Sequence, residues 1–569
     1  MRFLAVLIIL LTPLGLRALD REAFTVTRYD LNAQIEPEQQ RLGVRGKITL
    51  RNDSSTSQRD VTLQISSSLN WSAITFQGKP VEWLRQSYIS DIDHTGALSE
   101  SIVVLPEAVR PQQTVELEIG YEGVIAQDIT RLARIGVPET AAKLSDWDRI
   151  SPGFTVVRGV GHVAWYPIAT EAVSLPAGDA LAEQVARWRQ REAQSEMKVR
   201  FTGIAAPDSM PNLLCNGLGT PLRSEEAGRA RRVEMECSFL PGRDAPLFVL
   251  GNFEVLDRPL ATIFFLPDHK SQAEDYASAL DEVRPLAEKW FGDHREGTEA
   301  KAEVVDLPAP KAAAYESRNM LFLPLDGGDT QLLLSAARQI TLMFFPSPQT
   351  WVREGLASYA QVRLIEEKEG QKAAIAYLDS HRSALVESKT GGGRETAESG
   401  ALINQAEEFG ARTKAMYVWH MLRQMIGDGA LQAALHNYKA GDDKSPSYMQ
   451  KRIEAEAQRD LAWFFDDWVY QDRGLPDFRI ASVYPSTLAS GGYMVTVTVE
   501  NLGRASAEVP VTLHFASGEV SRRVVVPGNS KASTRIQTGS PPLSATVNDG
   551  SVPESDVTNN QYRIESLHP

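Results

Sequence analysis

The chain has 569 residues, of which 43% are hydrophobic and 23% are charged, and its formal net charge is −14. This composition is ordinary for globular protein, and the length predicts about three to five domains. An acidic surface repels phosphate, and no run of Lys and Arg offsets that charge, so the sequence argues against a nucleic-acid partner.

Residues 1–18 are predicted to be a signal peptide. Arg2 supplies a positive start, Phe3–Leu11 is an apolar run, and Ala18 is the expected cleavage point. An uncleaved anchor is the alternative. No later segment approaches the roughly 18 apolar residues that a spanning helix needs. We therefore expect an exported protein, periplasmic or extracellular, with no membrane span after removal of the signal.

Residues 22–257 are predicted to form an antiparallel β domain. Apolar and polar residues alternate along Tyr29–Ile35 and again along Thr114–Ile119, and turn residues separate such runs at short spacing. A helix is predicted at Asp179–Glu196. The strand pattern then continues through Lys198–Phe201 and Pro246–Val255.

Cys215 and Cys237 are the only two cysteines of the chain. Two cysteines in an exported protein favour a disulfide, which would stabilise the fold by roughly 3 kcal/mol on the chain-entropy model. Two buried free thiols are the alternative. With no companion histidines, the two cysteines do not form a zinc site.

Residues 258–477 are predicted to form an α+β domain. Apolar residues at helical spacing run from Gln272 to Phe291, and residues 331–471 are mostly helical, with a loop at Gly391–Gly393. Two strands are predicted between these helical parts, at Ala302–Leu307 and Asn319–Leu325.

Residues 478–569 are predicted to form a β-sandwich of roughly seven strands. Gly474-Leu475-Pro476 ends the helical part, and clean alternation follows in Tyr493–Val499 and Val509–Phe515. The whole chain is therefore expected to be a multi-domain α+β protein.

Two consecutive helices carry the most specific motif. The helix Gln331–Phe345 is apolar on nearly all sides, as a central buried helix is. The next helix begins with Trp351–Ala357 and places Glu354 early in an apolar stretch. This second stretch resembles the W-L-N-E-G-F-A motif of the membrane alanyl aminopeptidase family, a group of gluzincin zinc peptidases. The resemblance implies a thermolysin-like fold for residues 258–477.

In the resembling family the motif Glu is the third zinc ligand, and the preceding helix carries H-E-x-x-H. Its two His bind zinc from one helix face and its Glu is the general base. Here Ala337 and Thr341 stand at the two His positions and Arg338 stands at the general-base position. The helix contains no His at all, so a shifted register would not restore the site. Zinc and catalysis are therefore not expected.

Other segments extend the resemblance across Phe24–Phe478. Arg412 stands where the family has the Tyr that stabilises the oxyanion, and Glu316 could match the Glu that holds the substrate amine. The family is also resembled by two shorter segments, Trp165-Tyr166-Pro167 and Leu214–Gly217. The C-terminal part resembles a different group, the bacterial adhesion-type, Ig-like β-sandwiches, and its cues are Val499–Gly503 and Thr558–Asn560.

Two alternatives remain open for the charged pair. Either the guanidinium of Arg338 replaces the charge of the metal and pairs with Glu354, or Arg338 points to solvent and Glu354 caps backbone amides. Breaking a buried ion pair costs roughly 3–5 kcal/mol, so the two alternatives differ in what Arg338 does for stability.

No other catalytic constellation is visible. His162, His420 and His436 have no acidic or histidine partner at ligand spacing, and His420 is expected to be a packed helix residue. Ser358 follows Glu354 by one turn, which we interpret as coincidence, because no nucleophile elbow is present.

Three functions are compared on this basis. The first is a non-catalytic peptide-binding or scaffold protein in which Glu316 and Glu354 give the cleft an acidic floor, and whose sandwich contacts another protein. The second is a zinc aminopeptidase with a remodelled site, and the third is a hydrolase with an unrelated nucleophile. The residues favour the first, because zinc needs three protein ligands and only Glu354 remains.

Overall fold

A computed structural model shows a multi-domain, mixed α+β chain. The residues that it describes are 19–175, 180–206, 210–227, 230–295, 301–318, 320–387, 401–404 and 409–564. The predicted signal peptide and the predicted Gly391–Gly393 loop lie outside these residues. Two compact units are present. The first takes the described residues of Met1–Val137, Asp148–Val173 and Arg187–Gly251, and the second takes those of Pro138–Trp147, Ser174–Ala186 and Asn252–Pro569.

The first unit is built almost entirely of strands. In chain order these are β1 (Phe24–Glu36), β2 (Arg41–Asn52), β3 (Gln58–Ser66), β4 (Leu69–Phe76), β5 (Lys79–Pro80), β6 (Glu82–Ile89), β7 (Ala97–Val109), β8 (Thr114–Val124), β9 (Phe154–Val157), β10 (Glu196–Ala205), β11 (Asn212–Cys215), β12 (Leu218–Ala227), β13 (Ala230–Phe239) and β14 (Phe248–Gly251).

Three sheets organise these strands. The largest has the order β12-β13-β10-β1-β2-β8-β4-β5, and only the pair β1–β10 is parallel. The two smaller sheets have the orders β11-β14-β9 and β3-β7-β6. Along β1, Tyr29, Leu31, Ala33 and Ile35 are buried while the residues between them are exposed, as the alternation in the sequence predicts.

The segment Trp165-Tyr166-Pro167, which resembles a motif of the aminopeptidase family, lies in the core of this unit. Trp165 is fully buried, packs against Tyr166 and Phe248, and donates from Nε1 to the Pro246 carbonyl at 2.9 Å. The disulfide predicted between Cys215 and Cys237 is confirmed, and it joins the end of β11 to β13.

The second unit begins with a five-stranded sheet and the helices that cover it. The strands are β15 (Glu254–Asp257), β16 (Ala261–Phe265), β17 (Ala302–Asp306), β18 (Tyr315–Ser317) and β19 (Met320–Leu323), in the order β15-β16-β17-β19-β18. Among the described residues, the α-helices of both units are α1 (Thr130–Arg134), α2 (Glu139–Ser145), α3 (Ala180–Arg191), α4 (Lys270–Phe291), α5 (Asp329–Phe344), α6 (Thr350–Glu369), α7 (Gln371–Ser380), α8 (Arg382–Glu387), α9 (Phe409–His436), α10 (Tyr448–Ala457) and α11 (Ala462–Phe465).

Helices α5 and α6 lie at the centre of this unit. Their buried faces join one apolar cluster that also contains α4, α9 and the interior of the C-terminal strands. Helix α9 is interrupted at Gly427, whose φ of 81° and ψ of 164° are not helical. The two central helices are therefore fixed on several sides by packing.

The C-terminal part forms two sheets. Its strands are β20 (Phe478–Thr487), β21 (Tyr493–Asn501), β22 (Ala507–Phe515), β23 (Gly518–Val526), β24 (Ser530–Thr538), β25 (Ser544–Val547) and β26 (Gln561–Arg563). One sheet has the order β20-β21-β24 and the other β23-β22-β25-β26. Trp468 Nε1 donates to the Ser506 carbonyl at 2.8 Å, which ties the last helical turn to this part.

Several predicted elements differ from those observed. Helix α3 ends at Arg191 rather than Glu196, because Glu196 is already paired in β10 beside β1. The run Pro246–Val255 is divided into β14 and β15, which pair in different sheets. Helices α1 and α2 were not predicted. Among the described residues, no helix combines the length and the apolar character that crossing a membrane requires.

Candidate functional site

Helix α5 places three sequence-predicted positions side by side. Ala337 and Thr341 lie on its buried face, with relative exposures of 0% and 1%. The Thr341 hydroxyl donates to the Ala337 carbonyl at 2.8 Å, four residues earlier on the same helix. Arg338 lies beside them, and 11% of its side chain is exposed. This helix therefore presents a guanidinium and no imidazole.

Helix α6 places Glu354 opposite Arg338. The side chain of Glu354 is 7% exposed. The following Gly355 is needed for close packing, because a Cβ there would lie 2.7 Å from the Ala415 Cβ and 2.8 Å from Trp419 Nε1 on α9. Trp351 stacks on Trp419 with ring centroids 5.3 Å apart. The apolar residues of the motif thus fix α6 against α9 and with it the position of Glu354.

Arg338 binds both acidic side chains that the sequence singled out. Its Nε lies 2.8 and 3.0 Å from the two carboxylate oxygens of Glu316, and its Nη2 donates to Glu316 Oε2 at 2.7 Å. Nη2 also donates to Glu354 Oε2. Of the two alternatives left open by the sequence, the structure has the ion pair, extended by Glu316 from strand β18.

Ser358 is part of the same network. Arg338 Nη1 donates to the Ser358 hydroxyl oxygen at 3.0 Å. A permanently charged guanidinium cannot remove the proton of the serine, so this contact does not create a nucleophile. We did not predict this contact, although the one-turn spacing from Glu354 was a usable signal.

Two further arginines lie against Glu354. Arg412 Nε is 3.1 Å from Glu354 Oε2, and Arg353 Nε is 3.4 Å from Oε1. Burial by itself raises the pKa of Glu354, but the charges of Arg338, Arg412 and Arg353 outweigh it and hold the pKa below its ordinary value. Glu354 is therefore an ionised carboxylate at neutral pH.

The charged neighbours of Arg338 likewise shift its pKa. Burial by itself lowers the pKa of a guanidinium, but the carboxylates of Glu316 and Glu354 more than compensate, and the pKa of Arg338 is raised above its ordinary value. Arg338 is consequently a fixed positive charge. A dication in contact with Glu354 would have to share that carboxylate with it.

The residues at these positions do not fit a zinc ion. Ala337 has no donor atom, the Thr341 hydroxyl is bonded within its helix, and Glu354 is already surrounded by guanidinium groups. Zinc prefers three N, S or O ligands arranged around an open position. Within the part of the chain that the structure describes, no three His, Cys, Asp or Glu side chains converge as a metal site would.

The three histidines singled out in the sequence have contacts of other kinds. Burial first, and then the charge of Arg423, lowers the pKa of His420 to about 4, so His420 is neutral and packed against Tyr359, as predicted. His436 Nε2 lies 3.1 Å from the Lys289 carbonyl, and His162 Nδ1 lies 3.5 Å from Arg131 Nη2.

The chain was compared with protein-family models, curated protein sequences and solved structures, and it matches solved structures. No family model matches the chain, and no curated protein sequence matches it. Among solved structures, the chain is similar to Legionella pneumophila aminopeptidase A in a crystal structure with aspartic acid, with a TM-score of 0.58 and 13% identity. The match covers 94% of this chain and 59% of that chain.

The fold of this chain is similar to that of this aminopeptidase. At this low identity the similarity concerns the fold alone, and this chain spans less than two thirds of the length of that aminopeptidase. What the site does therefore has to be argued from its own residues.

Proposed function

We propose that this chain is an exported, aminopeptidase-like protein that lacks zinc and catalysis, a degenerate relative of the gluzincins, and that it acts as a peptide-binding or scaffold protein. The observation that carries the proposal is the position of Arg338. Its guanidinium contacts both Glu316 and Glu354, the two acidic groups that the family resemblance would assign to substrate amine and metal.

The chemistry of the site supports this reading. Metal-assisted hydrolysis needs a Lewis acid and a base acting on one water. Here the position of the base is a permanently protonated guanidinium, and the carboxylate nearest to it has a pKa below its ordinary value. An ionised carboxylate held by three arginines is a poor general base.

The first experiment measures zinc content and aminopeptidase activity on the same purified protein. We expect less than stoichiometric zinc after dialysis and no turnover of aminoacyl substrates. The control variant is Arg338→Gln, which removes the positive charge but adds no metal ligand. It should remain without zinc, because Ala337 and Thr341 still supply no nitrogen.

The outcomes separate two explanations. Zinc and turnover in the wild-type chain would contradict the proposal outright. Stoichiometric zinc in Arg338→Gln alone would mean that enough ligands are present and that only the charge of Arg338 excludes the metal. In that case the proposal that the ligand set is lost would be wrong.

Export is a separate part of the proposal, supported by the leader-like sequence of residues 1–18 and by the disulfide Cys215–Cys237. Expression in a bacterium with and without residues 1–18 tests it. We expect the full chain in the periplasm or medium, with a mature N-terminus after Ala18. The shortened chain should stay in the cytoplasm. Retention of the full chain in the cytoplasm would contradict export.

A further inference from the structure

Strand β6 is an exposed edge of a sheet in the first unit. It ends the order β3-β7-β6 and pairs with β7 over its whole length without a register shift. Leu84 and Ile89 on this strand are 63% and 68% exposed. Edge strands are commonly protected by a proline or a bulge. The edge strands β12 and β20 have both, since they contain Pro221 and Pro485 and each has a register shift, whereas β6 has neither.

The outer edge of β6 is occupied by the chain itself only at its two ends. Before the strand, the Val81 amide donates to a carbonyl of β4, and after it the Asp91 amide donates to the Val173 carbonyl. The Ser90 amide instead donates to the Gly96 carbonyl, in the register of the β6–β7 pair. Backbone groups of successive residues in an antiparallel strand point to opposite sides. Odd-numbered residues of β6 therefore direct their backbone groups away from β7.

Between these two ends lies a stretch of backbone that is open to a further strand. Its outward-directed residues are Trp83, Arg85, Ser87 and Ile89. Among the described residues, no backbone group bonds to them on the side away from β7. Such a row of unpaired N–H and C=O groups is a template for pairing with another strand. The open stretch runs from Trp83 to Ile89 and is centred on Gln86.

Two copies of this stretch complement each other. When two antiparallel edge strands are related by a two-fold axis, the residue on the axis fixes the partner of every other residue. With Gln86 on the axis, Leu84 lies opposite Tyr88 of the second copy. On the other face of the sheet, Trp83 lies opposite Ile89 of the second copy. Apolar side chains thus meet apolar side chains on both faces, which is the favourable kind of cross-strand pair.

Charge favours the same register. With Gln86 on the axis, Arg85 lies opposite Ser87 of the second copy, so no like charges are directly opposed. If Arg85 were on the axis, its two copies would face each other, which destabilises a sheet, and Leu84 would lie opposite a polar Gln86. Only the register centred on Gln86 also pairs the whole open stretch of both copies, because that stretch is symmetric about this residue.

We propose that β6 joins two copies of this chain, with Trp83–Ile89 of the two strands antiparallel about Gln86. The two three-stranded sheets then form one continuous sheet across the two-fold axis. A single pair of strands is a small interface, so the dimer should form in proportion to protein concentration. This inference goes beyond the proposed function, because it involves neither metal, nor catalysis, nor a bound peptide.

Sedimentation velocity on the purified full chain, at increasing protein concentration, tests the dimer and its register. Ser87→Glu places a carboxylate opposite Arg85 of the second copy, twice by symmetry, and should tighten the dimer about fivefold. Ser87→Lys opposes like charges and should weaken it about fivefold. The matched controls are Ser521→Glu and Ser521→Lys, at an exposed serine of strand β23, and they should leave the dimer unchanged. Circular dichroism checks that each variant is folded.

A cysteine on the proposed axis gives a second test. Directly opposed residues of antiparallel strands have Cα atoms about 4.5–5.5 Å apart, which a disulfide can span. Gln86→Cys should therefore give a covalent dimer on mild oxidation, seen by non-reducing electrophoresis. The control Glu82→Cys, at an exposed position of the same strand, should not, because its two copies lie far from the axis. Cys215 and Cys237 are already joined and supply no competing thiol.

The outcomes are distinct. A monomer at every concentration, with no cross-link through Gln86→Cys, would overturn the inference. A dimer that responds to the Ser87 and Ser521 substitutions equally would place the interface elsewhere and would also overturn it. A monomer that instead binds a labelled peptide of alternating Thr and Val would mean that the edge accepts a strand of another protein, not of a second copy. None of these results bears on zinc content or turnover, which test the proposed function separately.

Discussion

The guanidinium of Arg338 contacts both nearby acidic side chains. Glu316 and Glu354 come from β18 and α6, and both lie against one guanidinium. Removing one member of such a buried network leaves the others without compensation in a medium of low polarity. Arg338 is therefore expected to matter for stability.

Replacing Arg338 with Ala should lower the free energy of unfolding of the second unit by about 3 kcal/mol. The loss is at the low end of the range for a buried pair, because Arg353 and Arg412 still face Glu354. Thermal and denaturant unfolding measure it. The control Arg473→Ala removes a 42% exposed arginine and should cost less than about 1 kcal/mol. An equal melting temperature for wild type and Arg338→Ala would contradict the stabilising role.

At the scale of single elements, backbone conformation and buried charge limit which substitutions are possible. Helix α9 is broken at Gly427, where the φ of 81° and ψ of 164° are accessible almost only to glycine. Gly429, two residues later, has no positive φ and lies within the following helical turn. An added Cβ would meet no atom within 4 Å at either position. The two glycines therefore differ in backbone conformation alone.

Gly427→Ala should destabilise the protein by about 1–3 kcal/mol, because it forces a side chain into a strained conformation. Gly429→Ala should stabilise it by about 1 kcal/mol, because alanine is the better helix former. Differential scanning calorimetry on both variants measures the opposite signs. Two shifts of the same sign would mean that α9 is not interrupted at Gly427.

Glu554 connects the beginning of β20 to the end of the sandwich. Its carboxylate accepts from the Phe478 amide at 3.1 Å and from the side-chain amides of Asn548 and Asn560. Burial raises the pKa of Glu554 to about 7, against the lowering effect of these three donors. A raised pKa of an acid in the folded state gives stability that is present below the unfolded pKa and lost as the pH rises.

The stability of the second unit should therefore fall by about 3 kcal/mol as the pH rises from about 4.5 to above 7, from this group alone. Denaturant midpoints measured across that range test the slope. The variant Glu554→Gln should flatten the slope, because it cannot ionise. An unchanged slope in the variant would assign the pH dependence to other groups.

At the scale of the whole molecule, one covalent link constrains the first unit. Cys215 and Cys237 are 22 residues apart and join the end of β11 to β13, two strands that belong to different sheets. A loop of that size restricts the unfolded chain by about 3 kcal/mol on the chain-entropy model. Its effect belongs to the first unit, because both cysteines lie there.

Reduction of the disulfide should lower the free energy of unfolding of the first unit by about 3 kcal/mol. Calorimetry with and without a thiol reductant measures it. The double variant Cys215→Ala with Cys237→Ala is the control, and reductant should not change its transition. If the reductant leaves the unfolding temperature of the wild-type protein unchanged, a stabilising role for the bond is contradicted.

Local patterns in the sequence determined much of the architecture. Alternation located strands such as β1 and β21, and helical spacing located α4 and α5 to within a few residues. These patterns are readable because one face of each element is buried. The boundaries of domains at 257 and 477 stay predictions. Helix α3 was predicted too long, because pairing of Glu196 with β1 is a tertiary contact that spacing does not show.

The sequence by itself also determined that Ala337, Arg338 and Thr341 supply no imidazole, whatever the conformation of the helix. Only the tertiary structure decided what Arg338 does instead. Glu316 lies on a strand and Glu354 and Arg412 on two other helices, so their meeting at one guanidinium depends on how β18, α5, α6 and α9 pack. Contacts between distant segments are set by that packing, and no local pattern contains them.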